Sequence, residues 1–175
     1  MPKLKGTILT VMRELFARLG KETEAKFLAD LTPEELVIYH TGLPGKFIEV
    51  DSLTGLITKA AGHLFPKHPH PIRELGRYES KIQLTGIYKF FLNVASLGVV
   101  VKTYPAMWKT YADSGNPIVK LSDDRVELEA EGWLDMPMVV TEKIGGFMIG
   151  IWELMGYQEI KLQIPAKGKW ILTWK

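Results

Sequence analysis

The feature that most constrains the fold is a change in hydrophobic period at a run of small and polar residues, 113–116. Before this run, apolar residues recur with the spacing of a helix that buries one face, as from Thr7 to Leu19. After it, Arg125 to Glu131 alternates with a period of two, which is typical of a half-buried strand. The change predicts an α+β fold with a helical part followed by a sheet-containing part.

The first part of the chain predicts a series of helices. Apolar spacing places them over residues 7–19, 22–31, 33–40, 52–64, 72–96 and 97–111, with a proline-rich, non-helical segment at 66–71. Thr32 and Glu35 form a predicted capping box at the start of the third helix. Asp51 or Ser52 is the predicted N-cap of the fourth. Residues 46–50 are expected to be extended.

The second part predicts the order β-β-α-β-β. Its strands are expected over residues 118–121, 125–131, 157–164 and 170–174, and its helix over 139–155. This order of elements predicts an antiparallel four-stranded sheet with helices packed on one side. No repeat or linker is visible, so we predict one domain over residues 1–175, with a helical part at 1–112 and a sheet-containing part at 113–175.

Composition excludes several classes of function. The chain has 175 residues and no cysteine, which rules out disulfides, thiolate nucleophiles, zinc fingers and iron–sulfur clusters. Its 22 basic and 20 acidic residues are interspersed, so no basic stripe points to nucleic acid. The longest apolar runs are far shorter than the roughly 20 residues of a membrane span. We expect a cytoplasmic protein.

Histidines are the one set of candidate metal ligands. His63, His68 and His70 lie close together in the sequence, with Glu74 nearby, and imidazole suits zinc, nickel or copper. The alternative is a solvated loop stiffened by prolines, with His63 on the preceding helix. We therefore predict no bound metal. A protein that binds a metal through these three histidines stays an open alternative.

No catalytic residues are predicted. The segment Gly42 to Lys46 lacks the spacing and the hydroxyl of a phosphate-binding loop. Glu127, Glu129 and Glu131 alternate with apolar residues and therefore read as the solvated face of a strand. No serine lies in a nucleophile elbow. The chain is therefore not expected to be an enzyme.

Three glycines interrupt the apolar helix predicted at 139–155. Gly145, Gly146 and Gly150 each cost the helix roughly 1 kcal/mol relative to alanine. The expected compensation is close approach of this helix to the sheet or to a neighbouring helix.

Four short strings and the order of elements resemble the heme nitric oxide/oxygen-binding (H-NOX) sensor domains. The strings lie at residues 5–9, 19–22, 73–77 and 104–111 and read KGTIL, LGKE, RELGR and YPAMWKTY. The chain looks closer still to a heme-less bacterial paralogous-domain family of unknown function seen in myxobacteria. It also resembles the 4-vinyl-reductase-type ligand domains, although the cysteines frequent in that type are missing. The resemblance implies an H-NOX-like fold and a sensory role.

Two departures from the H-NOX pattern concern heme. Those domains bind iron through a histidine on the helix before the sheet, where this chain has Met107 and Trp108 and no histidine after His70. They hold the heme propionates with a Tyr-x-Ser-x-Arg motif, which residues 129–135 do not contain. The resemblance therefore implies an H-NOX-like fold that does not bind heme, and no cofactor is predicted.

We predict a non-catalytic sensory or regulatory module that binds an apolar small molecule between the N-terminal helices and the helix at 97–111. Methionine and aromatic side chains suit such a ligand, and the resemblance implies that Ile8 and Met12 line the pocket. The candidate ligand-binding residues are Ile8, Met12, Tyr88, Phe91, Tyr104, Met107, Trp108, Met148 and Trp152. The alternative is a module that binds a second copy or a signalling protein, with its pocket filled by its own side chains.

Overall fold

The computed structural model describes residues 1–84, 96–133 and 135–175. Its helices are α1 (Thr7–Leu19), α2 (Lys21–Ala29), α3 (Pro33–Thr41), α4 (Val50–Leu64), α5 (Pro71–Gln83), α6 (Leu97–Tyr111) and α7 (Met138–Leu154). Its strands are β1 (Lys3–Lys5), β2 (Phe47–Glu49), β3 (Asn116–Leu121), β4 (Arg125–Glu131), β5 (Lys161–Ala166) and β6 (Lys169–Thr173). This order confirms the predicted α+β fold, with a helical part followed by β-β-α-β-β.

The helical part is organised around the apolar face of α1. Phe16 on this face is fully buried and stacks on Phe27 of α2, with ring centroids 4.4 Å apart. Tyr39 of α3 then meets Phe27 edge-on at 5.2 Å. Aromatic pairs in these arrangements stabilise a core beyond the area they bury. The three N-terminal helices therefore share one aromatic centre.

The predicted capping box of α3 is confirmed, whereas the predicted N-cap of α4 is wrong. The Thr32 hydroxyl accepts from the Glu35 backbone N–H, and the Glu35 carboxylate accepts from the Thr32 backbone N–H. Helix α4 begins one residue before Asp51, because the preceding strand β2 leads directly into it and the Val50 N–H donates to the Pro2 carbonyl.

The segment predicted to be extended at 46–50 contains strand β2, whereas strand β1 and the two-stranded sheet that it forms with β2 were not predicted. Leu4 pairs antiparallel with Ile48, and Leu4 also forms a bridge to Ala112 at the end of α6. Three residues are too few to display an alternating pattern, so β1 has no signal in the sequence. The bridge brings the N-terminus of the chain against the last turn of α6.

The predicted helix over residues 72–96 is wrong as a continuous element. Helix α5 ends at Gln83, because Leu84 leaves helical conformation with φ −93° and ψ 52°. The sequence places Gly86, a poor helix former, two residues later. The rest of the predicted range, 85–95, lies outside the described residues.

The four-stranded sheet is antiparallel, as predicted, and its strand order is β3-β4-β6-β5. In β4 the apolar Val126, Leu128 and Ala130 are buried, and the alternating glutamates lie on the wetter face. The strand predicted from residue 157 begins only at Lys161, because Glu159 has a left-handed backbone, φ 48°.

Helices α5 and α7 approach so closely that their backbones are nearly in contact. A Cβ atom added to Gly76 of α5 would lie less than 3.0 Å from the Lys143 carbonyl oxygen, and one added to Gly146 of α7 would lie equally close to the Arg73 carbonyl oxygen. A Cβ atom added to Gly150 would lie less than 3.0 Å from the Ser80 hydroxyl oxygen and from the Arg77 carbonyl oxygen. We call this contact the glycine seam, defined by Gly76, Ser80, Gly146 and Gly150.

The glycine seam confirms the close approach that the glycines of α7 predicted, and the approach is to both neighbours. A Cβ on Gly145 would clash with Leu162 and Trp170 of the sheet, so α7 is held between the sheet and α5. Ion pairs also join the two helices, including Arg73 with Glu142 at 2.8 Å.

None of the helices within the described ranges is long and apolar enough to cross a membrane.

Candidate functional site

A cavity of about 60 Å³ lies where β1, α5, α6 and α7 meet. Since one water needs roughly 10–15 Å³ by the same measure, the cavity admits a small molecule or part of a larger one. It is partly open to solvent. The residues that line it are Leu4, Lys5, Thr7, Glu79, Tyr104, Met107, Trp108, Tyr111, Ala112, Lys143, Ile144 and Phe147.

Helix α6 supplies the aromatic wall of the cavity. Tyr104 and Trp108 lie one turn apart with ring centroids separated by 6.3 Å. The Trp108 indole N–H donates to the Ser114 carbonyl at 2.8 Å, so the ring is fixed while its polar atom is satisfied. Trp133 and Trp170 contact Trp108 from behind, at 6.2 and 6.3 Å. These contacts hold the Trp108 ring in place, which preorganises the wall for an apolar ligand.

Tyr104 is held in its neutral form. Burial raises the pKa of its phenol above the ordinary value, because the loss of water disfavours the phenolate. The side chain therefore presents a protonated hydroxyl, and not a phenolate, to its surroundings.

A buried ion pair forms the polar side of the cavity. The Lys143 ammonium of α7 lies 2.6 Å from Oε2 of Glu79 on α5, and the two side chains are 11% and 3% exposed. Oε1 of Glu79 accepts from the Gln83 amide at 3.0 Å. The glycine seam explains the pairing, because Gly76 packs on Lys143 itself and brings the two helices into register. Such a pair is costly to desolvate and is held here by packing.

A second ammonium group lies at the cavity. Nζ of Lys5 in β1 is 5.9 Å from the centroid of the Tyr111 ring, within the range of a cation–π interaction. Phe147 of α7 contacts the same ring, with centroids 6.2 Å apart. The cavity thus combines aromatic surface with two lysines and one carboxylate.

The structure brings some of the predicted ligand-binding residues together and leaves others apart. Tyr104, Met107 and Trp108 line the cavity. The other four described candidates do not line it and are packed in the hydrophobic core, namely Ile8, Met12, Met148 and Trp152. Tyr88 and Phe91 lie outside the described residues.

Sequence reasoning missed the charged residues of the cavity, Glu79, Lys143 and Lys5. One signal was available, because Gly76 and Ser80 in α5 have the same four-residue spacing as Gly146 and Gly150 in α7. Small residues at this spacing allow two helices to approach closely. Pairing these two stripes places Glu79 beside Lys143.

The three histidines of the metal alternative do not converge. His63 lies 3.4 Å from an Asp30 carboxylate oxygen, whereas His68 accepts from the His70 backbone N–H at 3.1 Å. Nε2 of His68 is also 3.7 Å from Glu74. Across residues 1–84, 96–133 and 135–175, no three histidine, aspartate or glutamate side chains are placed to hold a metal ion. The metal alternative therefore has no site within these described ranges.

Comparison with known proteins shows similarity at the level of structure. No protein-family model and no curated protein matches the sequence. A solved H-NOX protein from S. oneidensis is 14% identical, with a TM-score of 0.67 over 98% of this chain and 96% of its own. A mutant H-NOX protein from K. algicida, solved as Fe(II) without ligand, is 13% identical, with a TM-score of 0.68 over 98% and 97%.

An oxygen-binding H-NOX domain related to soluble guanylate cyclases, solved as its oxygen complex, is 15% identical. Its TM-score is 0.57 over 97% of this chain and 92% of its own. These likenesses extend over nearly the whole of both chains, and they agree with the order of elements described above. The chain has an H-NOX-like fold.

Proposed function

We propose that this chain is a non-catalytic sensory module that binds a small, mainly apolar organic molecule in the cavity between β1, α5, α6 and α7. The observation that carries the proposal is the preorganised aromatic wall at Tyr104 and Trp108, open on one side and closed on another by the Glu79–Lys143 pair. Concave sites of this kind, mostly apolar with a few polar groups, are typical of small-molecule binding.

The fold implies heme, but the residues present do not fit it. The four histidines of the chain are His40, His63, His68 and His70, and none of them lines the cavity. Tyrosine and methionine also serve as iron ligands, methionine together with a histidine. Burial raises the pKa of Tyr104 and disfavours its phenolate, and the described lining supplies no histidine to accompany Met107. These donor groups therefore support a module that binds its ligand without heme.

The cavity also lacks the arrangement of a catalytic site. Nucleophilic catalysis needs a hydroxyl, thiol or amine within hydrogen-bond reach of a base. Among the described lining residues, the amine nearest a carboxylate is Lys143, which is ion-paired with Glu79 as an ammonium and so has no free electron pair, and no histidine lines the cavity beside Thr7. Binding without turnover is what these groups support.

Placing a charge in the cavity is expected to abolish binding. Met107→Glu puts a carboxylate on the apolar wall, where desolvation disfavours it, so we expect the affinity for a neutral aromatic probe, cinnamamide, to fall at least tenfold. Titration calorimetry measures the affinity, and circular dichroism checks the fold. The matched control is Met138→Glu, because Met138 is 44% exposed on the first turn of α7. Equal affinity in folded Met107→Glu and in the control would place the ligand elsewhere.

A further inference from the structure

The Lys143 ammonium has more hydrogen-bond donors than partners. An ammonium group carries three N–H donors, and among the described residues Glu79 is its one ionic partner. Lys143 lines the cavity, which is partly open to solvent, so its remaining donors are available to water or to a ligand there. A ligand with acceptor atoms would replace that water and accept hydrogen bonds from the ammonium.

The Glu79 carboxylate does not occupy all the N–H donors of Lys143, nor does its charge balance both lysines of the cavity. Oε1 of Glu79 accepts from the Gln83 amide, and Oε2 is ion-paired with Lys143 but has no hydrogen-bond partner among the described residues. Its charge balances one lysine, whereas the cavity is lined by two, Lys5 and Lys143. The described ionisable groups at the cavity therefore carry an excess of one positive charge, which favours an anionic ligand.

We infer that the ligand is an organic acid with an apolar body, whose carboxylate binds Lys143 while the body packs against Trp108, Met107 and Phe147. The inference rests on the proposed function and names the chemical class that the site would take. A neutral analogue would fill the apolar surface but would not supply the negative charge. Charged acceptors form hydrogen bonds about twice as strong as neutral ones, so the acid should be preferred.

Matched acids and amides test the inference directly. Benzoate, cinnamate and hexanoate are compared with benzamide, cinnamamide and hexanamide by titration calorimetry at pH 7.5, where the acids are ionised. We expect the best acid to bind at least tenfold more tightly than its own amide.

A double variant locates the preference. Glu79→Met with Lys143→Met removes both charges and avoids leaving one of them buried alone, so the acid-to-amide ratio should fall below threefold while amide binding persists. The matched control is Lys81→Met, because Lys81 pairs with Glu153 on the same two helices and does not line the cavity. This control should keep the tenfold preference.

The outcomes separate the inference from the proposed function. If amides bind the unmodified protein as tightly as acids, the acid assignment is wrong and the proposed function stands. If none of the six compounds binds at millimolar concentration, both fail. If the double variant keeps the tenfold preference, the carboxylate does not bind Lys143. The comparison in the unmodified protein decides the acid assignment even if the double variant does not fold.

Discussion

Gly146→Ala is expected to lower the free energy of unfolding by about 3 kcal/mol, at the upper end of the usual cost of overpacking a core. The new methyl group would lie less than 3.0 Å from the Arg73 carbonyl oxygen, and also against the Arg73 backbone carbons. Both helices would have to separate, because the obstacle is backbone and cannot change rotamer. Separation would also pull Glu79 away from Lys143 and alter the cavity.

Urea denaturation of both proteins measures this effect. Gly62→Ala is the matched control, because Gly62 is exposed within α4 and nothing lies within 4 Å of its added Cβ. Alanine there should raise the free energy of unfolding by about 0.5–1 kcal/mol through its better helix propensity. The glycine seam is refuted if Gly146→Ala is as stable as the unmodified protein.

Lys143→Met is expected to lower the free energy of unfolding by about 3 kcal/mol, because it leaves the Glu79 carboxylate buried without a counter-charge. Glu79 is 2% exposed and cannot turn toward water. The double variant with Glu79→Met should recover most of this loss, since replacing a buried pair by apolar side chains is often neutral or stabilising. A double-mutant cycle by chemical denaturation gives the coupling energy.

An exposed pair provides the comparison for this cycle. Lys26 and Glu22 are paired at 2.8 Å on α2, with side chains 67% and 85% exposed. Lys26→Met should therefore cost no more than about 0.5 kcal/mol. A loss in Lys143→Met as small as this would show that the Glu79–Lys143 pair is accessible to solvent.

The sheet was predictable from the sequence because its signal is local. Val126, Leu128 and Ala130 alternate with glutamates, and that alternation is also their burial pattern. The end of α5 was not predictable in the same way, since the apolar spacing continues past Gln83 although the backbone turns at Leu84. Strand β1 exists only through its pairing with β2, a contact between distant parts of the chain.

The cavity was predictable on its apolar wall and not on its polar side. Tyr104, Met107 and Trp108 form a stripe on one helix, which periodicity reveals. Glu79 and Lys143 each look like a residue of a solvated helix face, and their pairing depends on how α5 packs on α7. The two charged residues carry no sign of burial themselves, and the only signal of their pairing is the matching spacing of small residues, Gly76 and Ser80 with Gly146 and Gly150.

Native mass spectrometry of protein purified from cells, with an absorbance scan of the same sample, tests the central claim most directly. The account predicts a fraction of the chain carrying an organic molecule smaller than heme, and an absorbance spectrum without a Soret band. The opposite result, a bound mass equal to heme together with a Soret band, would contradict the claim that this H-NOX-like fold binds its ligand without heme.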